Sequence, residues 1–139
     1  MRYLLDTCVL SELCKARPHP AVVEWLTAHD EQDFFLSVVT IGELAKGIAK
    51  LPVSEKRNEL ERWLRHDLQD RFQHRILPID RQVADAWGVL SAQAASIGTP
   101  FPVIDALLAA SAIVHGLAVV TRNVKDFPTG TPPLVNPWA

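Results

Sequence analysis

Residues 103–120 read Val103-Ile104-Asp105-Ala106-Leu107-Leu108-Ala109-Ala110-Ser111-Ala112-Ile113-Val114-His115-Gly116-Leu117-Ala118-Val119-Val120. The run is long enough to resemble a membrane span. Asp105 near its start and His115-Gly116 near its end argue otherwise, because such groups are costly in hydrocarbon. The stretch is therefore read as a buried helix followed by a buried strand at Leu117–Val120. That strand is continuously apolar rather than alternating, as expected when both faces are covered.

Outward from this pair, Tyr3-Leu4-Leu5, Phe34-Phe35-Leu36 and Ile76-Leu77 are short apolar runs of the same kind. Helical periods separate them. One begins near Thr7, one carries Val22, Trp25 and Leu26, one runs from Thr40 to Leu51, and a charged one runs from Ser54 to about Asp70. Val83, Trp87, Leu90, Ala94 and Ile97 form one apolar stripe, and Gly98 closes that helix. Pro18 and Pro20, Leu51-Pro52, and Pro100 with Pro102 punctuate the boundaries. The proline-rich C-terminus is extended, with a short edge strand at Leu134-Val135. Strands alternating with helices imply right-handed crossovers. The expected fold is α/β: one domain over residues 1–139, a three-layer α/β/α sandwich around a mainly parallel sheet.

Composition narrows the function classes. With 48% hydrophobic and 22% charged residues in 139, the chain is ordinary globular protein, able to bury a core without staples. Two cysteines, Cys8 and Cys14, are too few for a disulfide framework or a zinc site, which fits a reducing cytoplasm. The first apolar run is cut by Asp6 before it reaches the length of a signal peptide, so a cytoplasmic protein without membrane attachment is expected. A net charge of −2 advertises no overall basic field, so nucleic-acid binding must rest on a local patch or on metal. No glycine-rich phosphate loop occurs, and His19, His29, His66, His74 and His115 show no metal-ligand spacing. Arg57, Arg62, Arg65, Arg71 and Arg75 are interleaved with acids and read as a solvated mixed-charge helix. Trp25, Trp63 and Trp87 read as core or interface anchors.

In open α/β sheets, ligands bind beyond the carboxyl ends of the strands. Asp6 follows the first strand, Glu43 comes shortly after the second, Asp105 opens the buried helix, and Asn123 with Asp126 follows the last long strand. Each has a local explanation. Asp6 is placed to cap a helix, Thr40-Ile41-Gly42-Glu43 has the spacing of a capping box, Asp105 suits a helix dipole, and Asn123 with Asp126 repeats the cap spacing. Together they weigh more, because Asp105 lies in the most apolar helix of the chain and a charge there needs a partner. A hard divalent cation with oxygen ligands resolves the repulsion among several carboxylates. Phosphoryl chemistry follows.

The residues also resemble a known family. Leu4-Leu5-Asp6-Thr7-Cys8-Val9-Leu10-Ser11-Glu12-Leu13 is similar to the opening of PIN-domain toxins of the VapC and FitB kind. Leu36–Leu44, with Glu43, resembles their second acidic motif, Asp105–Ala112 the third, and Val120–Phe127 the fourth. Asn136-Pro137-Trp138 resembles a common family ending. Cys8 stands where asparagine is frequent, and Asn123 where several relatives have aspartate. The resemblance implies that Asp6 and Asp105 bind magnesium or manganese, that Glu43 completes the acidic centre, and that Asp126 or Asn123 supplies the fourth position. It implies hydrolysis of RNA phosphodiesters, a toxin–antitoxin role, a cognate antitoxin partner, and a homodimer that pairs again when antitoxin is bound.

Other classes fare worse. A receiver domain needs paired acids after its first strand, and a haloacid-dehalogenase-type phosphatase needs its second aspartate where Cys8 stands. A catalytically silent PIN-like module that binds RNA or protein is the remaining alternative, and keeping Asp6, Glu43 and Asp105 argues against it.

Overall fold

The computed structural model describes residues 1–128 and 132–139. Its strands are β1 (Tyr3–Leu5), β2 (Phe34–Ser37), β3 (Ile76–Leu77), β4 (Ala118–Val120) and β5 (Leu134–Val135). They pair in the order β3-β2-β1-β4-β5, every neighbouring pair parallel. The helices are α1 (Thr7–Leu13), α2 (Pro20–Thr27), α3 (Val38–Ala49), α4 (Glu55–Arg62), α5 (Leu68–Arg71), α6 (Arg81–Ser96) and α7 (Val103–His115). A π-helical turn, Trp63–Asp67, joins α4 to α5.

Alternate residues of each strand feed two separate cores. Leu5, Phe34, Leu36 and Val120 pack with Val9, Leu44, Leu64 and Leu68, on the face that carries α1, α3 and the α4–α5 arm. Leu4 and Val119 point the other way, against Leu108, Ala109 and Ala112 of α7, with Leu90 of α6 beside them. Both faces are thus covered, which is why the strands are apolar throughout rather than alternating. The three-layer architecture expected from the sequence is present, and the sheet is parallel across all five strands.

The opening stretch folds as read. Gly116 supplies the break at φ +67°, a left-handed conformation that side-chain-bearing residues resist, and Leu117 N–H returns to Ala112 O at 2.8 Å. No helix among the described residues is long and apolar enough to cross a membrane.

Three local expectations need correction. Helix α3 begins at Val38 and is capped by Ser37, whose Oγ accepts from Val39 N–H at 3.1 Å, so Thr40 and Glu43 do not form a capping box. Ile97 is the C-cap of α6 and is 69% exposed, because the helix ends before the apolar stripe does. Arg75 is buried rather than solvated. Its guanidinium donates to the carbonyls of Glu31, Phe34 and Arg71 at 2.6–2.7 Å and so ties the start of β2 to the end of the helical arm.

Candidate active site

In this strand order the chain first winds to one side of β1 and then returns to the other, so the topological switch point lies between β1 and β4. A parallel sheet leaves a crevice at the carboxyl end of such a point. Asp6 stands there, 5% exposed. Its backbone N–H continues the ladder to Val120 O at 3.0 Å. Its two oxygens have different partners. Oδ1 accepts from Thr7 N–H at 2.7 Å, capping α1, while Oδ2 accepts from Thr121 Oγ1 at 2.8 Å. Thr121 is steadied in turn by Asn123 N–H, 3.0 Å from its hydroxyl. The cap expected of Asp6 is therefore present, and it leaves the carboxylate at the switch point.

Glu43 reaches the same place from α3, where Thr7 Oγ1 donates to its Oε1 at 2.6 Å. One residue thus orients two carboxylates, Asp6 through its backbone and Glu43 through its hydroxyl. Asp105 enters from the first turn of α7 and is half-buried. Burial, followed by the negative charges of Asp6, Asp126 and Glu43, pushes its carboxyl up to about 6. The charges of Asp6, Asp126 and Glu43 thus all act on Asp105, and Thr7 links Asp6 to Glu43. Asp126 closes a 3-10 turn, Val124–Asp126, after β4, with Asn123 in the preceding cap position. Asn123 is exposed and its side chain makes no cap hydrogen bond, whereas Asp126 is half-buried and its charge acts on Asp105.

Among the described residues, none of the four carboxylates forms an ion pair. Nor do any three Asp, Glu, His or Cys side chains gather tightly enough to hold an ion unaided. An all-oxygen, incomplete donor set fits magnesium, which takes one or two carboxylates and fills its remaining positions with water and substrate phosphate; it does not fit a closed cage. Cys8 lies beside the centre, its Sγ 3.8 Å from both Asp6 Oδ2 and Thr121 Oγ1. Burial, with the charge of Asp6, pushes this thiol up, which keeps it protonated and unsuited to ligating a metal.

Thr7 and Thr121, which hydrogen-bond to these carboxylates, are the residues that charge-based reading missed. The available signal was position: each is a hydroxyl residue just past a strand end, beside an acid or opposite one. Away from the acids, a cavity of about 520 Å³ opens between α1, α2 and the α4–α5 arm, lined by apolar side chains including Leu10, Leu13, Val23, Leu26, Trp63 and Phe72.

The family model for the PIN domain matches residues 3–128. A VapC ribonuclease, Y4jK, from Sinorhizobium fredii is 34% identical over 135 residues, covering 97% of this chain and 96% of the relative. The solved structure of FitAcB from Neisseria gonorrhoeae superposes with a TM-score of 0.92 at 35% identity, covering 98% of each chain. A toxin–antitoxin complex from Klebsiella pneumoniae matches with a TM-score of 0.74 at 28% identity over 97% of each chain. A match running from the first strand to the turn that bears Asp126 takes in all four acids, and the chain belongs to the PIN-domain family.

Proposed function

We propose that this chain is a magnesium- or manganese-dependent endoribonuclease and the toxin of a toxin–antitoxin pair. The observation that carries the reading is the meeting of Asp6, Glu43, Asp105 and Asp126 at the switch point, with no cationic side chain paired to them among the described residues. The ribonuclease name of the Sinorhizobium relative and the toxin–antitoxin complex among the structural neighbours support it.

Asp6 and Asp105 would hold the ion, with Glu43 and Asp126 completing the negative field. Asp126 is preferred to Asn123 for the fourth position because it carries charge and acts on Asp105. When bound, the ion supplies an activated water and countercharge for attack on a phosphodiester. The protein's part is orientation. Thr121 and Thr7 pin both oxygens of Asp6, so this carboxylate is set before substrate arrives, and Thr7 does the same for Glu43. Asp105, whose carboxyl is pushed up by burial and by the neighbouring acids, would be held in its ionised form by the cation.

The test is cleavage of structured RNA by the purified chain with magnesium, with excess chelator, and in the variants Asp6→Asn and Asp105→Asn. Loss of at least a hundredfold in each variant and in chelator is expected, with 5′-phosphate and 3′-hydroxyl product ends because water, not the ribose, attacks. Undiminished cleavage in chelator, or cyclic phosphate ends, refutes the metal mechanism. RNA binding without cleavage in magnesium would make the chain a silent binding module.

The antitoxin would lay an amphipathic helix in the apolar cavity beside α1 and α2, where Leu13 and Val23 are each more than a third exposed.

A further inference from the structure

Two motifs singled out in the sequence, Ser11-Glu12-Leu13 and Asn136-Pro137-Trp138, are not used by the acidic centre, yet the structure brings them together. Glu12 is 5% exposed and fully engaged. Its Oε1 accepts from the Trp138 indole N–H at 3.1 Å and from Lys15 Nζ at 3.2 Å, and its Oε2 accepts from His19 N–H at 3.1 Å. Around this hub lies an open pocket of about 440 Å³ whose lining includes Lys15, Arg17, His19, Arg122 and Trp138. The Arg122 guanidinium sits 5.7 Å from the centroid of the Trp138 ring. Neither Arg17 nor Arg122 is in an ion pair among the described residues. Three cations therefore face this pocket against the single carboxylate of Glu12, on a chain whose net charge is −2.

Its position is what gives the pocket a function. Arg122 directly follows Thr121, which holds Asp6, and its own backbone N–H donates to Cys8 Sγ at 3.5 Å, one turn before Glu12 on α1. At 1.5 Å per residue, Glu12 lies about 9 Å along α1 from Asp6. A polyanion approaching four clustered acids is repelled and needs a cationic foothold nearby. We propose that this pocket is a phosphate subsite for the RNA strand: Arg17 and Arg122 hold a backbone phosphate flanking the one that is cut, and Glu12 and Trp138 are positioning residues. The inference rests on the ribonuclease reading for its substrate but is testable without cleavage.

The experiment measures binding of a fluorescein-labelled, random-sequence 20-nucleotide single-stranded RNA to the full chain in excess chelator across a salt series. For a single strand, removing one cation that neutralises a phosphate lowers the slope of log affinity against log salt by about 0.7. Arg17→Ala and Arg122→Ala should each lower it by about that amount, and the double variant by about twice as much. Arg122→Lys, which retains the charge, should restore the slope, whereas a variant that merely perturbed folding would not respond in this way. Arg62→Ala and Arg65→Ala, on the α4–α5 arm, should leave it unchanged. The proposal is overturned by an unchanged slope in the double variant, by an equal fall in the Arg62 and Arg65 variants, or by no RNA binding in the unmodified chain. A result of that kind would reassign the cations to an acidic protein segment. If the slopes fall as expected but no RNA is ever cleaved in magnesium, the subsite stands and the nuclease reading fails; cleavage with unchanged slopes gives the converse.

Discussion

Asp105 gives the metal-free protein a pH-dependent contribution to stability. Its carboxyl is pushed up to about 6 in the fold, against an ordinary value of 3.8. The native state therefore binds this proton more tightly than the unfolded chain does. Stability from this group is greatest below about pH 4 and is lost as pH rises through 6, because the unfolded chain gives up the proton first and the native charge is then unfavourable. Urea unfolding in chelator should show the parent falling relative to Asp105→Asn between pH 4 and 7, and the variant should be the more stable of the two at pH 7.5. Magnesium should raise the parent's midpoint more at pH 7.5 than at pH 5, since it favours the ionised carboxylate. A parallel pH dependence in parent and variant would show that neither burial nor the other acids shift the Asp105 carboxyl. At this scale the acids were legible only together, because each alone has a local structural use and Asp105 in the most apolar helix needs a partner for its charge. The threonines that orient them were not, since a hydroxyl just past a strand end looks like any cap. Glu43 was misread locally for a related reason: Ser37, a conventional cap residue, sat unnoticed inside an apolar run and started the helix earlier.

Helix α7 and strand β4 form the element pair on which the fold turns, and the hinge between them is a single glycine. Gly116 has φ +67°, and the turn it makes lets Leu117 N–H close onto Ala112 O before the chain enters β4. An added Cβ would meet no neighbouring atom within 4 Å, so the cost of alanine there is conformational rather than steric crowding from the tertiary fold. Gly116→Ala should destabilise by about 1–2 kcal/mol, the usual penalty for a left-handed alanine. Chemical denaturation should show the midpoint falling with the slope unchanged. A neutral result would mean that the helix ends in another way. The element boundaries were readable wherever proline or glycine marked them, as at Pro102 and Gly98. They were poorly readable in the α4–α5 arm, where a π-helical turn shifts the phase of the pattern and turns Leu64 and Leu68 inward within a segment that is otherwise charged. Arg75 lies just beyond that arm, and no periodicity could show that its guanidinium would end among three backbone carbonyls.

Across the whole molecule, three surfaces of different chemistry are arranged around α1. Its first turn borders the acids, its last turn borders the basic pocket at Glu12 and Lys15, and its outer flank, with Leu10 and Leu13, borders the apolar cavity. Net charge and composition showed none of this, because they average over surfaces that cancel: a chain with net charge −2 can still carry a local cationic site. The cavity and the acidic centre thus lie on different parts of one helix, and none of the four acids lines the cavity. This separates the two functions for mutation. Val23 is 36% exposed on α2 and lines the cavity. In Val23→Glu the new carboxylate remains hydrated in the free chain, so folding and RNA cleavage should be unchanged. In complex with the antitoxin, an apolar helix face would bury that carboxylate without a partner, at about 1–3 kcal/mol or more. Affinity for an antitoxin helix seated in this cavity should therefore fall at least about tenfold, and in cells the variant should escape neutralisation while cutting RNA at the parent's rate. Calorimetric titration of antitoxin into both proteins, with cleavage assayed alongside, separates the outcomes. Unchanged affinity would place the antitoxin elsewhere on the surface, and lost cleavage in the free variant would show that the cavity and the acidic centre are not independent.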